Sequence, residues 1–295
     1  MKTSKEINAL IKLLDDPDQE VFKTVRNKIL DYGKIIIPKL EQEWEKTEDE
    51  LLQERIEQII DTVNFNTIKD QLNSWLKTPN HDLKDGSFIL SEFQYPGVDK
   101  TEFEHIFKRI YQSCWLEINE YLTPLEKVNI LNSIIYSSYK FYGEETTQLL
   151  PSSFFLSEVI HTRKGNNFSL GVIYLLLCKK LDIPIYAIKL PQQFVLVYVD
   201  TIFDFFTPID EEKKKILFYL EPNTGNIYTH NDVSNYLRKN QLKFDPASLQ
   251  ILTNVDIIKQ TLIGLQLAYQ LENKKEKEHQ VKELLLLINQ SLDLK

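Results

Sequence analysis

The strongest constraint on the fold is a change of periodicity in the second half of the chain. Residues 169–181 (SLGVIYLLLCKKL) read as an apolar helix, and Pro184 follows as a stop. Four β-type runs come next, at 185–190, 194–199, 201–206 and 216–220, all rich in aromatic and β-branched residues. Asn223-Thr224-Gly225-Asn226 is a turn sequence, and Thr229 is placed to cap a short helix through Leu237. One central helix followed by an antiparallel meander predicts an α+β domain.

The segments before this core are helical. Ile7, Leu10, Ile11 and Leu14 fall at the spacing of an amphipathic helix, stopped by Asp15-Asp16-Pro17-Asp18. A second helix carries Val21, Val25 and Ile29 and ends near Gly33. Pro38 opens a third with Leu40 and Trp44, and a fourth passes through Leu52, Ile56, Ile59, Ile60 and Val63. The helical pattern continues from Ile68 to Trp75 and breaks at Thr78-Pro79. Short paired helices punctuated in this way read as HEAT-like packing, with too few units for a free-standing solenoid. Further helices are expected at 83–95, 99–119 and 124–142, the last capped by Thr123 with Pro124 and Glu126 in its first turn. Residues 143–157 read as a loop. Beyond Val255 two amphipathic helices are expected, separated by a solvated turn over the charged run 272–279. The division expected from these patterns is 1–75 helical, 76–245 core and 246–295 a C-terminal helical hairpin.

Composition narrows the chemistry. The chain has 295 residues, 42% of them hydrophobic, and only eight glycines, which disfavours glycine-rich phosphate cradles. A net charge of −8 with no dense Lys/Arg block argues against a nucleic-acid surface. Cys114 and Cys178 both sit in apolar helical contexts and read as buried reduced thiols rather than a disulfide or zinc framework. His81, His105 and His279 are scattered without metal-ligand spacing, so neither metal nor cofactor is expected. Glu41, Glu43 and Glu45 read as a solvated helix face, Lys213-Lys214-Lys215 as a mixed-charge hairpin tip, and Phe203, Phe205 and Phe206 as β-core. Residues 1–6 contain no apolar leader, and the longest apolar run, 284–288, is far too short to span a bilayer; a cytoplasmic location is the expectation.

The stretch 158–198 carries a resemblance. Leu156-Ser-Glu-Val-Ile-His-Thr-Arg-Lys-Gly165-Asn-Asn-Phe-Ser-Leu-Gly-Val-Ile-Tyr174, then Leu181-Asp-Ile-Pro184, Pro191-Gln-Gln-Phe194 and Phe218-Tyr-Leu-Glu221-Pro222, resembles the core of a bacterial transglutaminase-like family of the SirB N-terminal-domain type. Leu13-Leu-Asp-Asp-Pro-Asp, Leu52-Gln-Glu-Arg-Ile-Glu and Leu122-Thr-Pro-Leu-Glu-Lys-Val look like that family as well, so the resemblance runs along nearly the whole chain. It implies a papain/transglutaminase-like core. It also implies acyl transfer by a cysteine at the start of the central helix, a histidine on the following strand and an acidic or amide residue on the next.

The chain departs from that pattern at the roles that matter. Counting back about 15 residues from Asp182, which stands in the glycine column of the family's turn, places the nucleophile at Asn167. Ser169 is the nearest hydroxyl, and the nucleophile column stays open between the two. The histidine column is Gln193, which has no proton-accepting nitrogen and cannot serve as general base. The third column is Glu221, an orienting carboxylate with nothing to orient. Cys178, nine residues beyond Ser169, faces the other side of the helix. His161, expected in the loop before the helix, and His230, expected in the first turn of the capped helix, read as surface residues. The expectation is a pseudoenzyme that binds a protein or peptide partner, with neither nucleic acid nor membrane involved. The alternative is a serine-dependent hydrolase, amidase or acyl transferase using Ser169, assisted by Glu221 or His161.

Overall fold

The computed structural model describes residues 2–144, 149–191, 193–199, 216–242 and 250–293. The expected strand 201–206, its aromatic residues and the Lys213–Lys215 tip lie outside the described residues. The chain divides into two compact units, Met1–Ser74 and Trp75–Lys295.

The first unit contains α1 (Lys2–Lys12), α2 (Gln19–Leu30), α3 (Ile37–Trp44) and most of α4 (Glu50–Lys77), with a 3₁₀ turn at Gly33–Ile36. Leu14, Ile29, Ile36, Leu40, Ile56 and Ile59 are fully buried and form its core. Asp18 caps α2 by accepting from the Glu20 amide, as the break at Pro17 requires. Gly33 takes φ +58°, the left-handed turn that lets the chain enter α3 directly. Arg55 is buried at the α1–α2 turn. Its guanidinium donates to Leu14 O (2.6 Å) and Asp16 O (2.9 Å) and lies over the Phe22 ring, so its charge is spread over backbone carbonyls and a π-face.

The second unit is α+β. α5 (Leu83–Gln94), α6 (Thr101–Glu117) and α7 (Pro124–Asn132) precede the core, and Thr123 and Glu126 form a capping box on α7. The helix expected to continue to 142 widens instead into a π-helical turn at Ser133–Ser138. The stretch read as a loop carries a two-residue strand β1 (Tyr142–Gly143), a 3₁₀ turn (Pro151–Phe154) and the start of α8 (Leu156–Thr162). β2 (Lys164–Gly165) pairs parallel to β1 and leads into the central helix α9 (Asn167–Lys180). α9 starts two residues earlier than its apolar run, because Asn166 caps it, accepting from the amides of Phe168 and Ser169.

β3 (Ile185–Leu190), β4 (Gln193–Val199), β5 (Ile216–Leu220) and β6 (Ile227–Tyr228) form an antiparallel sheet in that order. Its two faces are covered differently. Phe194 reaches α9, where it meets Gly171. Side chains alternate along a strand, so Val195, Val197 and Val199 point the other way. They pack with Ile188, Leu190, Ile216 and Tyr219 against Val233 of α10 (His230–Lys239) and Ile251. α11 (Asn254–Leu271) and α12 (Lys275–Asp293) form a terminal helical pair. The turn between them is shorter than expected. Asn273 at φ +61° turns the chain, and Lys275 to His279 already belong to α12, where Glu276 and Glu278 suit the helix N-terminus.

Candidate functional site

Asn167 and Ser169 occupy the first turn of α9. Ser169 is 1% exposed, and its hydroxyl is spent on local structure. Oγ accepts from the Asn166 amide at 3.0 Å and donates to Asn166 O at 3.3 Å, completing a capping box. The Asn166 side chain donates to Ser153 Oγ at 3.0 Å, which ties α9 to the 3₁₀ turn. Gly165 leaves room for this arrangement, since a Cβ there would come within 2.7 Å of Ser169 Oγ.

An aromatic stack lies beside this turn. Phe154 stacks on Phe168 (5.9 Å between centroids), and Phe168 meets Phe194 at 5.2 Å. Gly264 of α11 lies against Phe154 and Phe168, where a Cβ would come within 2.7 Å of one ring and 3.0 Å of the other. Gly171, one turn into α9, touches Phe194 and Pro222 in the same way. The start of β4 and the chain just beyond β5 therefore both approach α9 through the neighbours of Gln193 and Glu221.

Gln193 and Glu221 themselves lie on the opposite face. Gln193 pairs with Leu190, whose side chain belongs to the cluster that α9 does not touch, and Gln193 is exposed. The register of β4 with β5 aligns Leu196 with Leu220, which sets Glu221 beside Val195 on that same face. Its carboxylate accepts from Thr224 Oγ1 (2.9 Å) and, more weakly, from Tyr228 OH (3.4 Å). The structure thus gathers Asn167 with Ser169 in one helical turn, and the register sets Gln193 and Glu221 on the face of the sheet that α9 does not cover. Sequence spacing proposes the columns, and only the strand register assigns their faces.

The other candidates have separate surroundings. His161 lies in α8 rather than in a loop, exposed, with Nδ1 3.2 Å from Glu102. His230 begins α10 half-buried, accepting from Tyr219 OH (3.1 Å) while its other nitrogen donates to Ile216 O (2.8 Å), so it locks α10 onto β5. Cys114 and Cys178 are fully buried. Burial, with the Glu117 charge behind it, pushes the Cys114 thiol up to about 12, and burial pushes Cys178 well above its ordinary value, so neither supplies a thiolate. Among the described residues no group of three or more His, Cys, Asp or Glu is arranged to hold a metal ion, and no helix is long and apolar enough to cross a membrane.

A polar network missed by sequence reasoning holds the turn after β5. Asn132 donates to Gly225 O at 2.7 Å and accepts from Tyr174 OH at 3.2 Å, and Tyr136, in the π turn, donates to Pro222 O at 2.6 Å. Burial raises both tyrosine hydroxyls, which stay protonated and serve as donors. Asn132 and Tyr136 were readable only as members of an expected helix, with nothing local to mark partners some ninety residues away.

A capped, buried helix packed on one face of a four-stranded antiparallel sheet, with helices before and after, defines a transglutaminase-like α+β core. The profile of the transglutaminase-like superfamily matches residues 101–262, and the chain belongs to that superfamily as a SirB-type member. It is 32% identical over 80 residues to a UPF0162 protein of Pasteurella multocida, covering 27% of this chain and 30% of that one. It is 27% identical over 121 residues to protein SirB1 of Salmonella typhimurium (40% and 44% covered). A UPF0162 protein of Buchnera aphidicola is 26% identical over 169 residues (56% and 58% covered). The matched segments thus span between 30% and 58% of these relatives. No solved structure matches the chain.

Proposed function

We propose that this chain is a non-catalytic transglutaminase-like protein of the cytoplasm that binds a protein or peptide partner, its HEAT-like N-terminal helices adding contact surface. The observation that carries this reading is the separation of the columns by the sheet. A nucleophile at Asn167 or Ser169 has to share a proton with a base about 3 Å away. Gln193 lies on the far face and has no basic nitrogen. The stack Phe154–Phe168–Phe194 supports the same reading, because it sets apolar rings beside the first turn of α9. Serine chemistry is disfavoured, because the bonds of Ser169 Oγ are to the amide, carbonyl and side-chain oxygen of Asn166.

The test is turnover. The chain is incubated with a glutamine-containing peptide and a primary amine, and separately with an ester and an amide substrate. No product above the uncatalysed rate is expected. Product formation that disappears in Ser169→Ala or Asn167→Ala would overturn the reading.

A further inference from the structure

α6 carries two stripes along its length. Phe103, Phe107, Ile110 and Cys114 form the buried one. The residue after each of these is turned about 100° from it, which aligns Glu104, Lys108, Tyr111 and Trp115 on a second stripe. That stripe borders a groove of about 360 Å³, lined by Glu104, Phe107, Lys108, Tyr111 and Gln112 of α6 and by Lys180 at the end of α9. The groove has an apolar floor, with Phe107 buried and the Tyr111 ring half-buried. Its rim is cationic. Lys180 Nζ lies 4.5 Å from the centre of the Tyr111 ring. The one carboxylate in the lining, Glu104, is already paired with Lys84, and the neighbouring Asp82 is paired with Lys179. Lys108 and Lys180 are both exposed and form no ion pair among the described residues. On a chain of net charge −8, the groove therefore keeps two cations without a counter-charge. One turn further along the stripe, Trp115 is 62% exposed.

We propose that this face of α6 binds an extended acidic peptide, with its carboxylate at Lys108 and Lys180 and an apolar side chain two residues later on Trp115. The inference rests on the partner-binding reading above and names the surface and the chemistry of the partner. Charge complementarity selects the carboxylate, and the stripe sets the spacing. Tyr111 and Trp115 are four helical residues apart, about 6 Å along the axis. In an extended peptide the side chains at i and i+2 point the same way and lie about 6.6 Å apart. An uncharged apolar ligand would strip water from two lysines without replacing it. A phosphate backbone would meet Glu104 in the wall of the groove, and two lysines are few for a polyanion.

Short peptides decide the matter on the full chain, read by amide and indole N–H chemical shifts. Acetyl-Glu-Ala-Phe-amide is expected to shift the amides of Lys108, Tyr111 and Gln112 and the indole N–H of Trp115 saturably, leaving the indoles of Trp44 and Trp75 in place. Acetyl-Gln-Ala-Phe-amide, which has the same shape but no charge, is expected to bind about twofold to fivefold more weakly. Acetyl-Glu-Ala-Ala-amide is expected to lose the Trp115 shift. Lys108→Gln and Lys180→Gln, both at exposed positions and compatible with folding, each weaken the acidic peptide by about twofold to fivefold and leave the neutral one unchanged. Equal affinity for the charged and neutral peptides, unchanged affinity in the variants, acetate binding as tightly as the peptide, tighter binding of acetyl-Lys-Ala-Phe-amide, or no saturable shift with any probe would each overturn the inference. Acyl-transfer turnover would remove the non-catalytic reading and leave peptide binding on α6 standing, whereas absent binding on α6 removes this inference alone.

Discussion

Replacing Gly171 by alanine separates helix propensity from tertiary packing, because the two predict opposite signs. Gly171 sits inside α9, where alanine is intrinsically better by about 1 kcal/mol. The added Cβ would meet Phe194 Cε1 at 2.6 Å and Pro222 Cγ at 3.3 Å. Phe194 cannot swing away cheaply. It is 5% exposed and held by Phe168, which Phe154 and Gly264 in turn confine. Pro222 is a ring fixed in the backbone, its carbonyl bonded by Tyr136. Overpacking costs about 1–3 kcal/mol, and a 2.6 Å approach to a confined ring belongs in the upper half of that range, about 2–3 kcal/mol. Set against the propensity gain, the expected net loss is about 1–2 kcal/mol at this tight contact. With a urea slope of about 2 kcal/mol per M, the midpoint falls by roughly 0.5–1 M. Urea titration followed by far-ultraviolet circular dichroism measures it, and the unchanged slope checks that only stability moved. A variant as stable as the parent, or more so, refutes the claim that Gly171 exists to admit Phe194 and Pro222.

Ser169→Ala is expected to destabilise the chain by about 1–3 kcal/mol, because the buried Asn166 amide loses its acceptor; a stability equal to the parent in thermal melts would contradict a capping role. Cys114 is neutral in the folded state, and its pKa rises from an ordinary 9.0 to about 12, so its contribution is intact below pH 9.0 and is lost as the pH climbs towards 12. Alkaline unfolding curves should therefore steepen above pH 9.0, less so in Cys114→Ala, and neither cysteine should react with a thiol reagent before unfolding. Asp232 is held below its ordinary value of 3.8 by the Thr229 hydroxyl and amide, so that stabilisation is present above 3.8 and disappears as the pH falls further. Thr229→Val should flatten this acid limb in circular dichroism and cost roughly 1 kcal/mol at neutral pH.

Several parts of the fold were legible because the signal was local. β3 and β5 run over the residues that their β-branched and aromatic content marked, and β4 starts one residue before its marked run. Thr123 and Thr229 cap the helices that follow them, since a hydroxyl three residues before a carboxylate is a short-range geometry. The start of α9 was misplaced by two residues, as the capping asparagine at 166 outranks the apolar run that begins later. The π turn carries no mark in its own residues. The turn between α11 and α12 was overextended, because a charged run reads equally as a loop or as a solvated first turn of a helix.

The candidate site divides along the same line. Residue types and spacing decide what each column can do: an amide at Gln193 is not a base whatever surrounds it, and nine helical residues turn Cys178 away from Ser169. Those conclusions required only the sequence. Which columns meet depends on strand register, where a one-residue difference sends a side chain to the other face of the sheet. That places Gln193 and Glu221 away from α9. The junction of β1 with β2 and with the turn after β5 is built from segments up to about eighty residues apart. No periodicity links them; only the closing of β1 on β2 and on the turn after β5 brings them together.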